Sequence, residues 1–216
     1  ASKGLVQDKG VENVEGVVLY LNDGLDNDPQ FRFMGRTFIA SEQIDVGSIS
    51  APAYFDHNDD GLLDLLIGTE SADYLRPGAT DTEREYQLQL YENVGTAAMP
   101  AYRLFDDDYL DFSSLPVPVE ASAPAAGDLD GDGDQDLLIG TGPGRIRHYE
   151  NVSAPGVDAA FVMMTDRLMD ADGDPIDPGI FSAPVLYDID TDGDQDLFVG
   201  EGYGKIYYYE NIGTQQ

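Results

Sequence analysis

Residues 128–136, Asp-Leu-Asp-Gly-Asp-Gly-Asp-Gln-Asp, hold five carboxylates and no cation, and residues 188–196 repeat the arrangement as Asp-Ile-Asp-Thr-Asp-Gly-Asp-Gln-Asp. In an extended turn alternate side chains point the same way, so Asp128, Asp130 and Asp132 converge, Gly133 permits the sharp bend, and Asp136 returns to close the group. Asp134, seventh in order, is expected to offer its backbone carbonyl. The later segment matches position by position through Asp188, Asp190, Asp192, Gly193, Asp194 by its carbonyl, and Asp196. An earlier segment keeps the spacing but replaces one carboxylate with an amide: Asp56, Asn58, Asp60, Gly61, Leu62 by its carbonyl, and Asp64. Such an all-oxygen set suits a hard cation with roughly six to eight ligands at about 2.3 to 2.6 Å, as Ca2+ has, better than Mg2+, which demands a rigid octahedron and retains water. Zn2+ would require His or Cys, and the chain has two His and no Cys.

Charge repulsion sets the scale of the effect. Four carboxylates make six pairs, each worth about 1 kcal/mol near 4 Å even in water, or roughly 6 kcal/mol for an empty loop. A whole domain is stable by about 5 to 15 kcal/mol, so folding and cation binding are expected to be linked. The first loop, with three carboxylates, is expected to be the weakest site. A solvated acidic turn without metal is the bland alternative. An EF-hand requires Glu at the twelfth position and flanking helices, whereas the twelfth residues here are Ile67, Ile139 and Val199.

The elements around these loops recur with them. Ser-Ala-Pro begins each unit at Ser50, Ser122 and Ser182, and an apolar run closed by Gly follows each loop: Asp-Leu-Leu-Ile-Gly twice, then Asp-Leu-Phe-Val-Gly. A second block follows: LQLYENVG ending at Gly95, IRHYENVS ending at Ser153 and IYYYENIG ending at Gly213, with a relative, VVLYLNDG, at 17–24. The shared Asn22, Asn93, Asn151 and Asn211 lie 71, 58 and 60 residues apart, and residues 70–85 are an insertion in the longer copy. Short β-branched and aromatic runs predict strands. A fourth strand is expected at 31–40, 101–107 and 159–164. Four strands per repeated unit is the pattern of propeller blades.

The succession Ser-Ala-Pro, DxDxDGDxDLLIG and GxIxYYENxG resembles the FG-GAP or VCBS repeat, the calcium-binding blade of integrin-α-like β-propellers. The likeness covers residues 50–213 well and 17–40 in part. It implies an all-β, propeller-like array of four-stranded blades within one repeat domain, 1–216. The units are a partial blade at 17–40, blades at 50–107 and 122–164, and a blade at 182–213 lacking its last strand. It also implies a Ca2+ ion between the first two strands of each full unit, about three ions in all.

Composition narrows the classes of function. A net charge of −31 makes nucleic acid and anionic membrane surfaces poor partners. Three calcium ions would bring the charge only to about −25, and the remaining acidic surface suits a saline habitat. The 42% apolar content and 22 Phe and Tyr residues are those of a chain with a core, not of a disordered one. No apolar stretch reaches the length of a membrane span. The chain opens at Ala1 without an initiator Met or an apolar leader, as it would if a leader had been removed or if the sequence simply starts there; an extracellular, secreted or cell-surface location is the expectation.

Other candidates have ordinary readings beside the functional ones. Asp170, Asp172 and Asp174 imitate a metal loop but have Pro175 at the Gly position; Asp23, Asp26 and Asp28 cluster similarly; both groups read first as acidic turns. Tyr207 and Tyr209 are expected to pack between blades, His57 to point away from the ion, and His148 to lie on an exposed strand face. Glu70, Glu201 and Arg145 are expected at blade tops, solvated or meeting a ligand. No catalytic constellation is visible, so an enzyme is not expected.

Closed propellers need about four to eight blades, so strand 31–40 completing the last blade, head-to-tail strand donation between copies, and a larger parent protein are all open arrangements. The expected role is a calcium-stabilised structural or adhesive module, with self-assembly into a filament or oligomer as an open arrangement, whose partner is a second copy or another protein. The alternative is a glycan-binding propeller or the scaffold of a polysaccharide-degrading enzyme.

Overall fold

The computed structural model of the protein describes residues 19–25, 28–35, 48–70, 88–115 and 121–213. Among these residues the fold is all-β, with 13 strands in four antiparallel sheets. The first sheet pairs β1 (Leu19–Asn22) with β2 (Phe31–Gly35). The second is a four-strand meander of β3 (Ser48–Phe55), β4 (Asp64–Glu70), β5 (Leu88–Asn93) and β6 (Tyr102–Asp106). The third repeats it with β7 (Ser122–Gly127), β8 (Asp136–Thr141), β9 (Ile146–Asn151) and β10 (Phe161–Thr165). The fourth has β11 (Ala183–Tyr187), β12 (Asp196–Gly200) and β13 (Ile206–Tyr209). Residues 36–40 of the expected strand 31–40, and 71–85 of the insertion, lie outside the described residues. No helix among the described residues is long and apolar enough to cross a membrane.

Each acidic loop joins the first and second strands of its sheet. The second strand is central and covered on both faces, which is why its sequence is a continuous apolar run rather than an alternating one: Leu65, Leu66, Ile67, Leu137, Leu138 and Ile139 are all buried. One core cluster joins Phe55, Leu66 and Leu90 of the second sheet to Leu137, Ile139 and Tyr149 of the third. Another joins Ala125, Leu138 and Ile146 of the third to Leu197 and Val199 of the fourth. Hydrophobic burial at about 25 cal/mol per Å2 therefore acts between sheets as much as within them.

The Ser-Ala-Pro segments make the junctions. The Ser122 hydroxyl oxygen accepts the Thr69 N–H at 3.0 Å, and that of Ser182 accepts the Thr141 N–H at 2.9 Å, so each serine grips the end of the preceding sheet's second strand. The glycine just before that threonine leaves the space: a Cβ on Gly68 would lie 2.2 Å from the Ser122 carbonyl oxygen, and one on Gly140 would lie 2.1 Å from that of Ser182. The Ser-Ala-Pro and terminal Gly of the repeat are thus two halves of one contact.

A six-residue helical turn, Tyr109–Ser114, was not expected from the sequence. It is too short to display a helical period, and Leu110 and Asp111 within it have φ of 66° and 50°. It places Tyr109 and Phe112 in the core beside Phe55.

Candidate metal centre

The three acidic loops share one backbone. In each, the first aspartate accepts the N–H of the sixth-position glycine: Asp56 from Gly61 at 2.7 Å, Asp128 from Gly133 at 3.1 Å, Asp188 from Gly193 at 3.1 Å. The third position accepts from the fifth, and the fifth from the seventh: Asn58 from Asp60, Asp130 from Asp132, Asp190 from Asp192, then Asp60 from Leu62, Asp132 from Asp134, Asp192 from Asp194. These local side-chain bonds to the backbone turn the chain without helix or sheet. The sixth glycines have φ of 83°, 98° and 103°. A Cβ on Gly61 or Gly133 would meet nothing, so glycine is required there by dihedral angle and not by space. The fourth position is also left-handed, at Asp59, Gly131 and Thr191.

This turn brings carboxylates together. Asp128, Asp130 and Asp132 each offer an oxygen within 4.8 Å of the others, as do Asp188, Asp190 and Asp192. Two oxygens on opposite sides of one ion at about 2.4 Å are about 4.8 Å apart, so both triplets match the ligand span of a calcium-sized cation. In the first loop Asn58 replaces the middle carboxylate, leaving Asp56 and Asp60, and the Asn58 amide donates to Asp60 at 3.2 Å. The donor chemistry therefore fits a hard cation best in the second and third loops.

The ninth-position aspartates are placed differently from the triplets. Asp64, Asp136 and Asp196 are buried, and each bonds two backbone N–H groups. One belongs to the second loop residue: His57 at 2.8 Å, Leu129 at 3.1 Å and Ile189 at 3.2 Å. The other belongs to the shared asparagine: Asn93 at 2.7 Å, Asn151 at 2.9 Å and Asn211 at 2.8 Å. Each carboxylate thus ties its loop to the region where the third strand ends. Burial raises the pKa of Asp64 and Asp136 above the usual carboxylate range, against the lowering effect of these N–H bonds.

Asp134 is the seventh residue, expected to use its carbonyl. Burial, then the carboxylates of Asp132, Asp136 and Asp130, push its side chain up to about 6. Asp190 is raised by desolvation and by the nearby carboxylates of Asp192, Asp196 and Asp188. Concentrated negative charge is the shared feature of these loops.

The eighth-position glutamines were not foreseen as functional. Gln135 accepts the Asp56 N–H at 3.3 Å, so the second loop braces the first. Gln195 lies over Gly127, where a Cβ would come within 1.8 Å of its Oε1. The sequence signal was Gln in two loops and Gly immediately before Asp128; the first loop has the exposed Leu63 instead.

His57 points away from its loop as expected: it is buried, 3.2 Å from the Tyr109 hydroxyl, and packed beside Phe55 and Phe105. Burial lowers its pKa. His148 corrects the expectation of an exposed face, because it is half-buried between the third and fourth sheets. Tyr209 packs against the cluster between those sheets, and Tyr207 is half-buried. Glu201 is turned onto its own loop, accepting the N–H groups of Tyr203 and Lys205 at 2.9 Å, which hold its pKa low. Arg145 pairs with Asp166 at 3.3 Å. The side chain of Glu70 lies outside the described residues.

Asp170 accepts the N–H groups of Asp172 and Asp174 at 3.0 and 2.9 Å, closing a local turn. These three residues do not form a convergent carboxylate group among the described residues. Asp23 pairs with Arg32, Asp28 forms a backbone bridge with Leu25, and Asp26 lies outside the described residues.

No curated protein and no solved structure matches the chain. Residues 121–151 match the family model of the FG-GAP repeat. That span runs from just before β7 to the end of β9 and includes the whole second acidic loop, so the similarity to the FG-GAP repeat falls on the unit built around Asp128–Asp136.

Proposed function

We propose that the protein is a calcium-binding, β-propeller-type repeat module acting outside the cell in a structural or adhesive role, with a second copy of itself as its partner and no catalysis of its own. The observation that carries the calcium reading is the pair of carboxylate triplets, each within the span of one hard cation and each on the same glycine-dependent turn. Three like charges held this close are self-repelling, and a divalent ion converts that repulsion into attraction. The ligands proposed are the first, third and fifth side chains, the seventh carbonyl and the ninth carboxylate of each loop.

Isothermal titration with Ca2+ and Mg2+ tests this directly. Two stronger calcium sites and a weaker one in the first loop are the expected result, with a melting temperature that rises with free calcium. A protein that melts at the same temperature in millimolar calcium and in EGTA would refute the reading. Sedimentation in the same two conditions reports self-association.

A further inference from the structure

The first acidic loop is held from the neighbouring repeat at three points, and the groups that hold it lead back to proposed ligands of the second loop. We propose that the two sites are coupled: a cation in the second loop, by fixing residues 134–136, raises the affinity of the first loop for its own cation, with Gln135 as the positioning residue. This deepens the calcium reading above and rests on it.

Two routes join the loops. The shorter is a single residue. Gln135 stands between Asp134 and Asp136, which supply the proposed carbonyl and carboxylate ligands of the second loop, and its side-chain oxygen accepts the Asp56 N–H at 3.3 Å. Asp56 is the first ligand of its own loop and orders that loop further by accepting the N–H groups of Asp60 and Gly61 at 3.1 and 2.7 Å. The longer route starts at the buried Asp136, whose carboxylate accepts the Asn151 N–H at 2.9 Å. The Asn151 side-chain oxygen accepts the N–H groups of Ser153 and Ala160 at 3.2 and 3.1 Å, which shapes the connection between β9 and β10. That connection closes on the first loop: the Ala159 N–H donates to the His57 carbonyl and the Gly156 N–H to the Asp59 carboxylate, both at 2.6 Å.

The second route also explains Asp59. It is the fourth residue of its loop, outside the proposed ligand set, and it adds negative charge to a loop that is already acidic. Its φ is 55°, a left-handed angle at the position where the second loop has Gly131. A charge-assisted bond to the Gly156 N–H offsets the strain of that angle, so the aspartate is placed there by the turn it grips.

The support reaches the loop that needs it. Asn58 leaves the first loop one carboxylate short of the second, so it fills later, when residues 134–136 are already fixed. Without a cation the carboxylates of the second loop repel one another, and the backbone that carries Gln135 relaxes with them. A cation draws them together, and the order it imposes need not be imposed again when the first loop fills, which is positive cooperativity. Direct electrostatics has the opposite sign, because two divalent cations on neighbouring loops repel. The sign of the coupling therefore separates bracing from charge.

Hydrogen–deuterium exchange of residues 56–64, 128–136 and 188–196, read by mass spectrometry over a series of free calcium concentrations, gives each loop its own midpoint of protection. Gln135→Ala is expected to raise the midpoint of the first loop about fivefold, at the low end of ordinary coupling, and to leave the second and third loops within about twofold. Asp132→Asn, which removes a ligand charge from the second loop, should raise the first-loop midpoint too, whereas loss of a neighbouring cation would lower it if charge alone linked the sites. Asp59→Gly, compatible with the left-handed angle, should act as Gln135→Ala does, and Asp59→Asn, which keeps the acceptor oxygen, should change the midpoint less than about twofold. A first-loop midpoint that stays put in Gln135→Ala and Asp59→Gly, or falls in Asp132→Asn, overturns the coupling and leaves the calcium reading standing. Calcium that protects none of the three loops overturns both.

Discussion

In chelator, Asp130→Asn and Asp136→Asn are expected to move stability in opposite directions. Asp130 belongs to a triplet whose oxygens lie within 4.8 Å of one another, where each pair repels by at least about 0.9 kcal/mol even at the dielectric constant of water. Neutralising it removes two of the three repelling pairs, roughly 1.7 kcal/mol, and the asparagine oxygen still accepts the Asp132 N–H. Asp136 is different, because its two oxygens accept from Leu129 and Asn151 in a buried setting. An amide has one acceptor oxygen, so one N–H is left facing a donor, a loss of about 2 kcal/mol after allowance for the unfavourable burial of the charge. Urea unfolding followed by circular dichroism in EDTA at neutral pH measures both. In saturating calcium the gain from Asp130→Asn should become a loss, since the variant gives up a ligand charge. If both variants are destabilised alike without metal, the distinction between repelling triplet and buried tie is wrong.

Gly140→Ala should destabilise the protein by about 2 to 4 kcal/mol in thermal or urea unfolding, because its Cβ would meet the Ser182 carbonyl oxygen. Gly200→Ala, with nothing nearer than 3.9 Å, should cost about 1 kcal/mol or less. Thr191→Gly should stabilise by about 1 kcal/mol, since a β-branched residue sits at φ 64° where the second loop has Gly131. For the metal-free protein, the pKa of Asp134 is raised from 3.8 to about 6 in the folded state, so its contribution is present at low pH and lost as pH rises through that range. The melting temperature in chelator should fall between about pH 4 and 7, and Asp134→Asn should flatten the profile.

The sequence determined the repeat, and with it the strands and the acidic turns. Alternating aspartates and a glycine at fixed spacing are local constraints, and a turn of nine residues is shaped by its own side-chain bonds. The apolar run after each loop similarly announced a buried strand. Tertiary structure decided what the neighbours do. The ninth aspartate reads in the sequence as one more ligand; the fold adds two N–H bonds to its carboxylate, one of them from the shared asparagine 15 or more residues away. The pairing of Ser-Ala-Pro with the preceding sheet's glycine, the bracing by Gln135, the buried turn at Tyr109–Ser114 and the half-buried His148 all depend on which sheet stacks against which. Those choices follow from contacts between distant segments, whose geometry has no period along the chain.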